Sequence, residues 1–172
     1  MTGLYENIHE LQNESTLTFL YRAPKVAIRP LNSILVAKEY QRVFDISQDK
    51  ANEMASLVKG YPYAYQVLGY LCYKRNCSYN EVIDEFDAYL GEYVYDKIWS
   101  ELSENDRRVL KAIAGSSSGK NEAIRALADM NSSTFSVYRD RLIKKGLIVS
   151  DRYGFVALTL PRFKEYALRQ NQ

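Results

Sequence analysis

The chain has 172 residues, 47% hydrophobic and 26% charged, with a formal net charge of +2, which suits a folded soluble protein of one large or two small domains. No stretch approaches the roughly 18–20 continuous apolar residues of a membrane span, and the N-terminus MTGLYENIHE has no basic-then-apolar signal pattern. The two cysteines, Cys72 and Cys77, are too few for a disulfide framework and lack the extra Cys or His partners of a zinc site, so idle thiols in a cytoplasmic protein without a bound metal are expected.

The charge is unevenly spread. Residues 1–98 carry 10 basic against 13 acidic side chains, a net of −3, whereas residues 99–172 carry 13 against 8, a net of +5. The basic half is the candidate for contact with a polyanion.

In residues 1–45, Leu17, Phe19 and Leu20 lead to Arg22-Ala-Pro24, and Lys25–Arg29 has the pattern of a short strand stopped by Pro30. Such a strand, with no neighbour to pair with, looks cut from a larger sheet. From Asn32 the spacing predicts an amphipathic helix through Ile34, Leu35, Ala37, Tyr40 and Phe44.

Residues 46–98 are predicted helical. Ser47 is placed as an N-cap before Ala51, Met54, Ala55 and Val58, and Gly60 stops that run. Pro62 stands where a first helical residue would, ahead of Ala64, Val67, Leu68 and Leu71. Ser78 and Glu81 form a capping-box pattern before Val82, Ile83, Phe86, Tyr89 and Leu90. Nine of the 15 tyrosines fall between Tyr61 and Tyr95. Packing with the hydroxyls in water accounts for them, and stacking of a base or a partner on one or two is the alternative.

Residues 99–172 carry the strongest pattern. Ser103 caps a helix with Val109, Leu110 and Ile113 on one face. After the loop Gly115-Ser-Ser-Ser-Gly119, a short helix is marked by Ala123, Ile124, Leu127 and Ala128. Asn131-Ser-Ser then opens a third helix that buries Phe135, Tyr138 and Leu142 and ends at Gly146. Leu147–Val149, the turn Asp151–Gly154 and Phe155–Leu160 read as strand, turn and strand. Three helices and a hairpin give the order of a winged helix-turn-helix, in a chain that is otherwise mainly α.

In that fold the third helix enters the major groove of DNA. Its outer side is expected to carry Ser133, Thr134, Ser136, Val137, Arg139, Asp140, Arg141 and Lys144. Small hydroxyl residues allow close approach to phosphate, and Arg139 and Arg141 suit guanine edges or phosphates. Lys144 and Lys145 join this candidate DNA-binding set, although the helix dipole alone also explains them. Arg152 sits where a wing residue would. Double-stranded DNA is the expected partner, and a protein partner is the alternative.

No catalytic constellation stands out. His9 is the only histidine and lies on a polar stretch. Gly115-Ser-Ser-Ser-Gly119-Lys120-Asn121 fails as a phosphate loop: one residue is missing between the glycines, Asn replaces the Ser/Thr that ligates magnesium, and no strand precedes it. The chain itself is expected to catalyse nothing.

Thr2-Gly-Leu4, Leu17–Pro24, Arg29-Pro-Leu31 and Lys59-Gly-Tyr-Pro-Tyr-Ala-Tyr-Gln66 together resemble the later part of an AAA+ ATPase of the bacterial and archaeal origin-recognition-like and STAND groups. The resemblance implies that residues 1–31 are the tail of an incomplete core, 32–98 a helical lid and 99–172 the winged helix. It implies ATP and magnesium in a parent protein whose P-loop core lies outside this chain, and possible self-association through the AAA+ surface. Arg22 is similar to an arginine finger, with pairing to an acid as the alternative, and Tyr61 and Pro62 resemble the lid residues that lie against the nucleotide. The arginine that relatives carry near Tyr63 as a second sensor is missing here. Two other readings stay open: a signalling ATPase whose winged helix binds protein, and a free-standing transcriptional regulator.

Overall fold

The computed structural model describes residues 29–170. All but the last residue of the strand expected at Lys25–Arg29, with Arg22, His9 and the Thr2-Gly-Leu4 motif, lie outside them. What is described is mainly helical, with one two-stranded antiparallel sheet. Among the described residues no helix is long and apolar enough to cross a membrane.

Helices α1 (Ser33–Phe44), α2 (Gln48–Val58) and α3 (Pro62–Arg75) come first. Local chemistry sets their ends. The Asn32 side chain accepts from the Ile34 and Leu35 amides at 2.9 and 3.2 Å, Ser47 caps α2 through the Lys50 amide, and Pro62 occupies the first turn of α3 where no donor is needed. The helices meet through Val36, Ala37 and Tyr40 on α1, Ala51, Met54, Ala55 and Val58 on α2, and Ala64, Val67, Leu68 and Leu71 on α3, all buried. The Tyr40 hydroxyl donates to Tyr65 O at 2.8 Å. Ile34 and Leu35, expected on the buried stripe of α1, are instead 64% and 61% exposed. At about 100° per residue, both lie more than about 100° around the helix from the middle of the face that Val36, Ala37 and Tyr40 bury.

The Ser78 box opens a 3₁₀ turn, Tyr79–Glu81, rather than an α-helix directly; the Glu81 carboxylate accepts from the Ser78 amide at 3.0 Å. Helix α4 (Ile83–Leu90) follows, then a π-helical turn Gly91–Tyr95 and the short α5 (Asp96–Ser100). Next come α6 (Glu104–Gly115), α7 (Asn121–Leu127), α8 (Ser132–Lys144), β1 (Ile148–Val149), β2 (Ala157–Leu158) and α9 (Phe163–Arg169). The strands are shorter than expected, pairing only Ile148 with Leu158 and Val149 with Ala157. Lys120, just before α7, adds an isolated antiparallel bridge to Phe155, with the Val156 amide donating to Gly119 O and the Asn121 amide to Gly154 O, both at 2.9 Å.

Helix α9 was not anticipated, and it knits the molecule together. Phe163 is fully buried, with the Tyr95 ring edge-on at 5.0 Å and Trp99 at 6.2 Å. The Tyr95 hydroxyl donates to Pro161 O. Asp87 on α4, itself buried, receives Arg162 through two hydrogen bonds of 2.7 and 2.8 Å and Arg169 at 2.6 Å. Lys59, at the end of α2, donates to Leu158 O at 3.1 Å. One hydrophobic cluster therefore runs from α1 to α9.

Candidate nucleic-acid interface

Helix α8 is held in place from below. Phe135 and Leu142 are buried, and the half-buried Tyr138 accepts from Asn105 Nδ2 on α6 at 2.9 Å. The Asn131 side chain caps the helix through the Thr134 amide at 2.8 Å and also receives the Ser133 hydroxyl at 2.8 Å. With that side turned in, Ser133, Ser136, Asp140 and Lys144 are exposed, as is Val137 at 65%, while Thr134 and Lys145 are half-buried.

The arginines of the predicted set are engaged within the chain. Arg139 pairs with its neighbour Asp140 at 2.8 Å, so this position presents a partly neutralised pair. Arg141 forms an ion pair with the Oδ2 of Asp106 at 3.1 Å, and that carboxylate has no exposed surface. Asp106 also accepts from the Ser103 amide and hydroxyl at 3.1 and 2.7 Å, closing the capping box of α6, while its Oδ1 has no hydrogen-bond partner. Arg141 thus serves one oxygen of a buried carboxylate, a structural task that its spacing along α8 did not reveal. Arg152 is exposed, with its guanidinium 4.3 Å above the Phe155 ring, which steadies a cation at the hairpin.

Between α7, α8 and the hairpin runs a cleft of about 690 Å³ lined by Lys120, Asn121, Glu122, Arg139, Ser150 and Tyr153, among others. Tyr153 projects fully from the hairpin tip. Lys120, Ser150 and Tyr153 were not foreseen as site residues. The fold delivers them: the bridge between Lys120 and Phe155 draws the end of the serine loop against the hairpin. The only hint in sequence was Lys120 directly after that loop. On α7 Leu127, expected on the buried side, is 61% exposed, because the short helix packs through Ile124 and Ala128 instead.

The residues expected to face a nucleotide lie elsewhere. Tyr61 precedes α3 at its N-cap position and is half-buried, and burial raises its phenol above the ordinary value. Pro62 is exposed beside it. Gly60, with φ +70°, accepts from the Leu31 amide at 2.8 Å. Among the described residues no group of three or more His, Cys, Asp or Glu side chains could hold a metal ion.

Residues 92–167 match a family model described as a domain of unknown function, DUF8462. The matched span starts inside the π-helical turn and so takes in Tyr95 together with its partner Phe163. No curated protein and no solved structure matches the chain.

Proposed function

We propose that the chain is the lid and winged-helix region of an AAA+-like ATP-binding protein, and that its C-terminal part docks on double-stranded DNA. One observation carries the DNA reading: α8 turns Phe135 and Leu142 inward and leaves Ser133, Ser136, Val137 and Lys144 uncovered beside the hairpin. The order of α6, α7, α8 and hairpin, with Lys120 bridged to Phe155 as a third short strand position, supports a winged helix. Exposed Lys120, Lys144 and Arg152 flank the face, and the excess of positive charge in residues 99–172 favours a polyanion. In a parent protein, ATP and magnesium would be held by a P-loop core. Tyr61 and Pro62 would lie against the nucleotide, and the chain alone would catalyse no hydrolysis.

Fluorescence anisotropy of a labelled duplex tests the reading. Affinity should fall steeply with salt, the slope reflecting about 0.9 counterion per phosphate contact. Replacing Lys120, Lys144 and Arg152 together by alanine should weaken binding about tenfold or more and flatten that slope. Unchanged affinity in the triple variant, or no binding at low salt, overturns it. Arg141 is unsuited to this test, because removing it exposes Asp106 to a loss of its partner.

A protein partner is the second reading. Leu127 and Val137 are both more than 60% exposed, and Asp140 neutralises Arg139. On that reading Val137→Asp would abolish the protein contact, whereas the triple cation variant would retain it.

A further inference from the structure

The only two cysteines of the chain flank the turn that ends α3. Asn76 takes the left-handed conformation, φ 49°. Its amide donates to Tyr73 O at 3.2 Å, and the Cys77 amide reaches back to Cys72 O at 3.3 Å. These two bonds make the Schellman cap, which brings the side chain three positions inside the helix against the one just past the left-handed residue. Here those positions are Cys72 and Cys77. Both thiols are free, and both line one cleft of about 590 Å³ between α1, α2 and the connection from α3 to α4. Cys77 is half-buried, whereas Cys72 is only 3% exposed. Burial, and after it the charge a Cys77 thiolate would carry, push the Cys72 thiol up to about 11.

We propose that Cys72 and Cys77 are a dithiol that closes reversibly to an intrachain disulfide by exchange with a small-molecule disulfide such as oxidised glutathione, Cys77 attacking and Cys72 resolving. The Cys77 thiol loses its proton to solvent, and its thiolate attacks one sulfur of the oxidant. The oxidant's S–S bond breaks, and one glutathione leaves as a thiolate that takes up a proton. Cys72 then gives up its proton and attacks the Cys77 sulfur, expelling the second glutathione. Two protein thiols are oxidised and one disulfide is reduced to two thiols. Access dictates the order, because Cys77 is half-buried whereas Cys72, on the wall of the same cleft, is only 3% exposed. The new bond would staple the last turn of α3 to the residue preceding the Ser78 cap.

The full chain, incubated with excess oxidised glutathione and then quenched with an alkylating reagent, should lose the mass of two hydrogen atoms and take up no alkyl group. Cys72→Ser should stop at a mixed disulfide on Cys77. Cys77→Ser should stay unmodified while folded. A wild-type chain that accumulates the mixed disulfide, or one whose two cysteines both stay alkylatable, overturns the proposal.

Discussion

Gly60 shows how much one position can fix. Its φ of +70° is a conformation that L side chains rarely adopt, and a Cβ there would lie 2.5 Å from Leu31 O, the backbone that enters α1. The same residue accepts the Leu31 amide, so the turn between α2 and α3 and the start of α1 are set by one glycine. Gly60→Ala should destabilise the fold by about 2 kcal/mol or more, read as a lower urea midpoint with an unchanged slope. The sequence marked Gly60 as a helix stop. The contact with Leu31 joins segments far apart along the chain, and no local pattern announces it.

At the scale of the elements, the helix ends were legible and the faces less so. Ser47, Ser103, Asn131 and Pro62 act on residues within a turn of themselves, so their roles can be read from a few letters. Ile34, Leu35 and Leu127 were misplaced because a helix's hydrophobic stripe does not say which part of it finds a neighbour. Arg141 likewise turned out to face Asp106 on another helix. This pair ties the proposed reading helix to α6 alongside the Tyr138–Asn105 bond. Arg141→Ala should cost about 1–2 kcal/mol, since its guanidinium is half-exposed while the carboxylate it serves is buried. Asp106→Ala should remove that dependence. A double-mutant cycle followed by chemical denaturation should therefore show coupling between the two, and additive losses would refute the pairing. The exposed face of α8 was legible; the cleft formed with Lys120 and Ser150 was not, because it depends on the bridge to Phe155.

For the molecule as a whole, buried phenols set the response to alkali. Burial is the first cause that raises Tyr40 and Tyr95 far above their ordinary value of 10.0, and it also lifts Cys72 from 9.0 to about 11. Above pH 9 the unfolded chain therefore gives up protons that the folded chain keeps. Stability is complete below that range and falls as pH climbs, by about 1.4 kcal/mol per pH unit for each such group. Lys59 works in the opposite direction. Desolvation lowers its affinity for a proton, so its penalty is relieved as pH rises and offsets part of the loss. Tyr95→Phe should cost about 1 kcal/mol near neutrality through the lost bond to Pro161 O. Its stability should then decline less steeply above pH 10, so that the two curves converge, which circular dichroism of denaturant titrations at several pH values would record. Parallel curves would mean that the Tyr95 phenol is not the group responsible.

The aromatic nest around Phe163 bears on how the polypeptide can be dissected. A recombinant piece starting at residue 99 would leave behind Tyr95 and Asp87, stripping a greasy notch open, leaving Arg162 with Glu165 alone and taking from Arg169 the carboxylate it pairs with. One started at Ser78 would carry the plug and the anion with it, and should be the shorter length that still melts as a single cooperative unit.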